Sequence, residues 1–260
     1  MILFRITPFL LFNYKALSFI QRSFYKQTSI LYSKKKIDSA IFSKSIQLKN
    51  PKTLNQIEYK SSLYDKFINL VFCMGPAGTG KTLFACQYAI ESLKKEEIKK
   101  IIITRPMITI EEDMGYLPGN INQKMYPWTI PIFDIFEEYY SKKDLAALVE
   151  ANNIEIAPLG FIQGRTFKNA IIIADEMQNS TPNQMFMLLT RIGENSKMII
   201  TGDLMQTTNN QNGLKDIVQK LEMKGLKDED GIKIIKLSQM DIQRHKIVSF
   251  MTALYKGNLM

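Results

Sequence analysis

The chain has 260 residues, 45% of them hydrophobic, enough apolar material for one α/β domain with extensions. No run reaches the ~18 uninterrupted apolar residues of a membrane span, because Arg5 and Lys15 break the greasiest stretch. Net charge is +9, but residues 1–37 hold seven basic side chains and no acidic one, so taking seven from +9 leaves only +2 for the remainder. A bulk-charge argument for nucleic-acid binding therefore largely vanishes once the head is set aside.

Residues 1–37 are basic, acid-free and rich in Ser, Phe and Tyr, the composition of an organellar transit peptide. The expectation is a mitochondrial leader, with a plastid leader or a retained basic arm on a cytoplasmic protein as alternatives. Residues 38–260 are read as the functional domain. Two cysteines, Cys73 and Cys86, in apolar stretches point to core packing, and with His245 the only histidine no zinc cluster of usual spacing is available.

Strand and helix alternate from about residue 50. Buried-strand runs are predicted over 68–74, 101–104, 170–174, 197–201 and 232–237, with 154–156 as an edge strand or hairpin. Helices are predicted over about 81–93, 132–151, 182–193, 213–223 and 244–256. Continuous apolar strands separated by helices define an α/β fold, a mostly parallel sheet with helices on both faces.

Gly75-Pro76-Ala77-Gly78-Thr79-Gly80-Lys81-Thr82 satisfies G-x-x-x-x-G-K-[ST], following a strand and opening a helix. Such a loop turns its N–H groups toward phosphates, and the helix dipole adds to the attraction. Lys81 reaches the β- and γ-phosphates of ATP, and the Thr82 hydroxyl is a Mg²⁺ ligand. Hydrolysis needs two further groups, and a strand end supplies both: Asp175 for the metal, Glu176 for the attacking water. Asp203 and Gln206, after the next strand, are candidate sensors of the γ-phosphate or the water, with a side-chain turn at Asp203 as the plainer reading. Arg244 is a candidate transition-state cation, acting in its own subunit or a neighbouring one.

These strings, together with Thr104-Arg105-Pro106, Gly115–Gly119, Gly164-Arg165-Thr166, Gln178-Asn179, Leu189–Gly193 and Arg244-His245, resemble the PhoH-like ATPases over about residues 50–256. The resemblance implies a RecA-like P-loop NTPase core related to superfamily-one helicases, ATP as nucleotide, RNA as polymer partner and a homo-oligomeric ring. It also makes Gln56 the candidate for reading the adenine edge, since an amide matches both donor and acceptor there; a polar cap on a helix starting at 57 is the other reading. Met107–Asp113 departs from the family's glycine-containing turn, and no second motor domain or fused nuclease is expected in this length. Arg105, Lys124, Arg165 and Tyr126-Pro127-Trp128 are the polymer-side candidates, with loop packing the other reading of Tyr126 and Trp128 and an intramolecular phosphate or structural contact that of Arg165. Competing functions are a nucleotide-gated assembly protein with little turnover and a small-molecule kinase; the Asp175-Glu176 pair, suited to activating water, ranks the kinase lower.

Overall fold

The β-branched runs of the chain form the strands β1 (Leu70–Met74), β2 (Lys100–Thr104), β3 (Ile154–Ile156), β4 (Ala170–Ala174), β5 (Lys197–Gly202) and β6 (Ile232–Lys236). They make one six-stranded sheet in the order β3-β2-β4-β5-β1-β6, with every neighbouring pair parallel. The structure is a computed structural model that describes residues 48–106, 121–206, 212–243 and 247, with backbone only for 121–129. The helices are α1 (Leu54–Tyr64), α2 (Lys81–Lys94), α3 (Ile121–Tyr139), α4 (Lys142–Glu150), α5 (Pro182–Leu189) and α6 (Gly213–Lys224). Among the described residues no helix is long and apolar enough to cross a membrane.

Period-two alternation divides the sheet into two buried faces. Phe72, Met74, Ile102, Ile172, Met198 and Ile200 pack with Met185 and Leu188 of α5 and Leu214 and Val218 of α6. The intervening residues Cys73, Ile101, Ile103, Ile171, Ile173 and Ile199 are equally buried and turn to the other face, on which α2 packs. Each fully buried aliphatic side chain contributes about 1.5–3 kcal/mol, which favours apolar residues on both faces of the central strands. Lys197, on the α1–α2 face, is a buried charged residue among them. Its ammonium donates to the carbonyls of Ser62 (3.3 Å), Leu63 (2.5 Å) and Asp65 (2.7 Å), closing the C-terminal end of α1, and lies over the Tyr88 ring.

Of the two readings for residues 154–156, the edge strand holds, parallel to β2. Two other expectations change. The helix expected over 132–151 is two helices: the chain extends at Ser141, whose hydroxyl accepts the Asp144 N–H (3.1 Å) and starts α4. The first of the two, α3, begins at Ile121 rather than near 132 and runs through Pro127 and Pro131. Finally, α5 starts on a Thr181–Gln184 capping box with Pro182 in its first turn, but stops at Leu189 instead of 193. Beyond it the chain is drawn to Phe167, whose N–H donates to the Arg191 carbonyl (2.9 Å) and which bridges to Ile192. Of the helix expected over 244–256, only Ile247 is a described residue, and it is helical.

Candidate nucleotide site

The loop between β1 and α2 is held from both sides. Gly80 has φ of 91°, a left-handed conformation that glycine adopts at no steric cost, and it turns the chain into Lys81 at the start of α2. Gly75 must lack a side chain, since a Cβ there would lie 2.5 Å from the Leu237 carbonyl oxygen. The Thr79 hydroxyl donates to the Pro76 carbonyl (2.8 Å), and the Gln243 N–H to that of Gly78 (2.9 Å). Lys81 Nζ donates to the carbonyls of Gly75 (2.6 Å) and Pro76 (2.8 Å). Burial lowers the Lys81 pKa below its ordinary value, while Cys73, Asp203, Glu176 and Asp175 pull it back up.

Support for the loop comes from α1. The buried Tyr59 hydroxyl donates to the Lys81 carbonyl (3.0 Å). Gln56 is 1% exposed and lies inside α1, whose N-cap is Thr53, so it is not the cap of a helix starting at 57. Its Nε2 donates to the carbonyls of Thr79 and Asp241 (3.0 Å each), and its Oε1 accepts the Lys52 N–H (2.8 Å). The amide proposed to read adenine thus bolts α1 to the phosphate loop. The Asp241 carboxylate completes the knot, accepting from the Thr53 hydroxyl, Asn55 Nδ2 (2.9 Å) and the Ser238 N–H (2.6 Å).

The acids stand at the end of β4, between β2 and β5. Asp175 is 3% exposed; its Oδ1 accepts the Thr82 hydroxyl (2.9 Å) and the Thr201 hydroxyl. The helix-opening threonine and the strand-end aspartate therefore meet as the sequence reading requires of a metal site. Glu176 has φ of 57° and ψ of 36°, a left-handed conformation that costs a non-glycine residue of the order of 1–3 kcal/mol. Gln178, 1% exposed, ties the two loops together. Its Nε2 donates to Glu176 Oε2 (2.6 Å), and its Oε1 accepts the Asp203 N–H (3.1 Å).

Asp203 is buried and does make the side-chain turn, accepting the Met205 N–H (3.0 Å). It is also among the carboxylates acting on Lys81, so the turn holds it within electrostatic reach of the phosphate loop. Gln206 is exposed, its N–H donating to the Asp203 carbonyl (3.0 Å). Arg244 and His245 lie outside the described residues, as do Met107–Asp113 and Gly115–Gly119; the described chain reaches the loop at Gln243, the residue before Arg244. Two polymer-side candidates are held by contacts within the chain, Arg105 largely covered and Arg165 still 37% exposed. Arg105 pairs with Asp175 (3.1 Å) and Glu176 (3.5 Å), and Arg165 pairs with Glu155 (2.6 Å) and stacks on Phe167. Lys124 and Tyr126–Trp128 lie on the backbone of α3 rather than in a loop.

A parallel sheet with a phosphate loop between β1 and α2, and acids at the end of a strand two places away, is an α/β, RecA-like P-loop NTPase core. Family comparison identifies the branch. The PhoH-like protein family matches residues 49–256, and the chain belongs to that family. It is 44% identical over 206 residues to a PhoH-like protein of Bacillus subtilis (strain 168), covering 79% of this chain and 62% of that protein. It is 39% identical over 207 residues to one from Synechocystis, covering 79% and 61%. The chain thus spans about three fifths of the length of these relatives. Among solved structures, the Pif1 helicase from Candida albicans aligns at TM-score 0.37 and 14% identity, over 82% of this chain and 46% of that one. Fold and family together are those of a P-loop nucleotide-binding core.

Proposed function

We propose that this chain is a Mg²⁺-dependent ATPase acting on RNA. The observation that carries the hydrolytic part is the meeting of Thr82 with Asp175 at 2.9 Å, one residue from Lys81 and one from Glu176. A hydroxyl and a carboxylate are hard oxygen donors that suit Mg²⁺. Among the described residues no three acids, cysteines or histidines gather into a metal cage, so the remaining ligands come from nucleotide phosphates and water. The bound metal would supply neutralisation of phosphate charge.

The chain's own groups do the rest. Lys81 exchanges the neutral carbonyls of Gly75 and Pro76 for phosphate oxygens, a charge-assisted and stronger pairing. Glu176, with one oxygen held by Gln178, orients the attacking water and takes up its proton. The adjacency of Glu176 to the metal-side acid favours water over a metabolite hydroxyl as acceptor. RNA rests on the family resemblance, with Lys124 and Tyr126–Trp128 of α3 and the half-exposed Arg165 as the polymer-side candidates. The same resemblance favours a ring completed by Arg244, and residues 1–37 favour a mitochondrial address.

The test is ATP turnover by residues 38–260, with and without single-stranded RNA, for wild type, Lys81→Ala and Glu176→Gln. Lys81→Ala should lose tight ATP binding; Glu176→Gln should keep binding and lose at least a hundredfold in turnover. Wild-type turnover in either variant refutes the site, and turnover indifferent to RNA refutes the polymer.

A further inference from the structure

Arg105 is the first residue after β2 and Asp175 the first after β4. The two strands are parallel neighbours with Thr104 opposite Ala174, so register alone brings these residues side by side. The backbone on each side is fixed: the Asp175 N–H donates to the Thr104 carbonyl (3.0 Å), and the Arg105 carbonyl accepts the Leu159 N–H (3.3 Å). The Arg105 side chain is only 14% exposed, and one nitrogen, Nη2, serves both acids, at 3.1 Å from Asp175 Oδ2 and 3.5 Å from Glu176 Oε1. The Asp175 side chain is 5% exposed and that of Glu176 45%, so the cation mainly compensates the buried metal-side carboxylate. Among the described residues, Asp175 Oδ1 receives the neutral hydroxyls of Thr82 and Thr201. An arginine does not lose its proton in a protein, so this compensation is permanent.

We propose that Arg105 is a positioning residue that acts as a resident counter-cation: in the nucleotide-free protein it neutralises Asp175, restrains Glu176 and keeps free divalent metal off the site until nucleotide brings it. The inference rests on the ATPase reading of Asp175 and Glu176. Its physical basis is competition for one carboxylate. A divalent ion arriving alone meets one acid already paired and one hydroxyl, and lies a few ångströms from a fixed positive charge. That repulsion amounts to at least about a tenfold penalty even at the dielectric constant of water. ATP reverses the balance because its phosphates supply both the missing oxygen ligands and the missing negative charge. Arg105 also links the acids to the segment after β3 through Leu159, so its placement depends on the sheet rather than on a loop.

The experiment follows Mn²⁺ by electron paramagnetic resonance with the full chain, in the presence and absence of a non-hydrolysable ATP analogue, alongside Mg²⁺-dependent ATP turnover. Without nucleotide, Arg105→Gln should bind Mn²⁺ at least tenfold more tightly than wild type, Arg105→Lys should stay near wild type, and adding Thr82→Val to Arg105→Gln should abolish the gain. In the wild type, Asp175→Asn should leave Mn²⁺ binding unchanged without nucleotide and weaken it with the analogue, a comparison independent of how well the Arg105 variants fold. Equal Mn²⁺ affinity of Arg105→Gln and wild type overturns the proposal, as does nucleotide-free Mn²⁺ binding by wild type that Asp175→Asn removes. A wild type that fails to turn over Mg²⁺-ATP overturns the ATPase reading instead.

Discussion

Asp241 lies beyond β6, far in sequence from the loop at 75–82, yet its replacement should weaken both the fold and the nucleotide site. The residue is 1% exposed, and its carboxylate accepts from the Thr53 hydroxyl, Asn55 Nδ2 (2.9 Å), the Ser238 N–H (2.6 Å) and the Ser238 hydroxyl (3.1 Å). Hydrogen bonds to a charged acceptor are worth about 1.5–3 kcal/mol each and are not additive, so Asp241→Ala should cost roughly 3–5 kcal/mol in total. At roughly 2–4 °C per kcal/mol for a domain of this size, the thermal midpoint should fall by about 6–20 °C. Because the Asp241 carbonyl shares the Gln56 amide with Thr79, ATP affinity should fall as well. The pH dependence follows from the same bonds. Burial raises the carboxyl pKa, but the donors Asn55, Ser238 and Thr53 outweigh it and hold the group below 3.8. A depressed carboxylate stabilises the fold above its unfolded value and loses that contribution as pH falls through its folded value. The midpoint gap between wild type and Asp241→Asn should therefore be constant above about pH 5 and close progressively below pH 4. Differential scanning calorimetry of wild type, Asp241→Ala and Asp241→Asn measures both effects. An Asp241→Ala midpoint within about 2 °C of wild type, or a gap unchanged on acidification, refutes the reasoning.

Gly202→Ala should be damaging in a defined way: the new Cβ would lie 2.5 Å from Leu214 Cδ2 and 2.8 Å from Gln178 Oε1. Overpacking costs about 1–3 kcal/mol, and displacing Gln178 frees Glu176, so turnover should fall at least tenfold with ATP binding largely retained. Steady-state hydrolysis beside fluorescent-nucleotide binding separates the two, and unchanged turnover would remove Gln178 from the site. Lys197 should give an alkaline signature. Burial lowers its pKa from 10.5 to about 8, with Asp65 pulling the other way. Between those values the unfolded chain binds more protons, so this contribution to stability rises with pH from about 8 to 10.5. Denaturant midpoints of wild type relative to Lys197→Met should climb across that window; a flat difference would show that the three carbonyls hold the ammonium at its ordinary value.

The parts of the site legible in the sequence are those whose chemistry demands contiguous residues. Gly75–Thr82 must be one loop, because successive N–H groups have to face one phosphate chain. Asp175 and Glu176 are neighbours because metal and water are neighbours. Arg105, Gln178, Thr201 and Asp241 were not assigned to the site because their roles depend on pairings across long stretches of chain. Arg105 even stood out in its string, and an exposed polymer contact was the natural reading of an arginine next to a proline. The register of β2 on β4 decides otherwise. Helix α3 was obscured for a different reason: Pro127 and Pro131 carry strong local preferences, and the packing of Ile132 and Phe136 into the core overrides them.

One rule recovers Arg105. In a parallel sheet the chain leaves every strand at the same edge, so the first residue past each buried run is brought to a common crevice. For β1, β2, β4 and β5 those residues are Gly75, Arg105, Asp175 and Asp203. For β6 the residue is Leu237, whose carbonyl sets the need for glycine at 75. Arg105 was therefore readable as a site residue from strand ends alone; its sign of charge, set between two acids, then identifies it as their counter-ion.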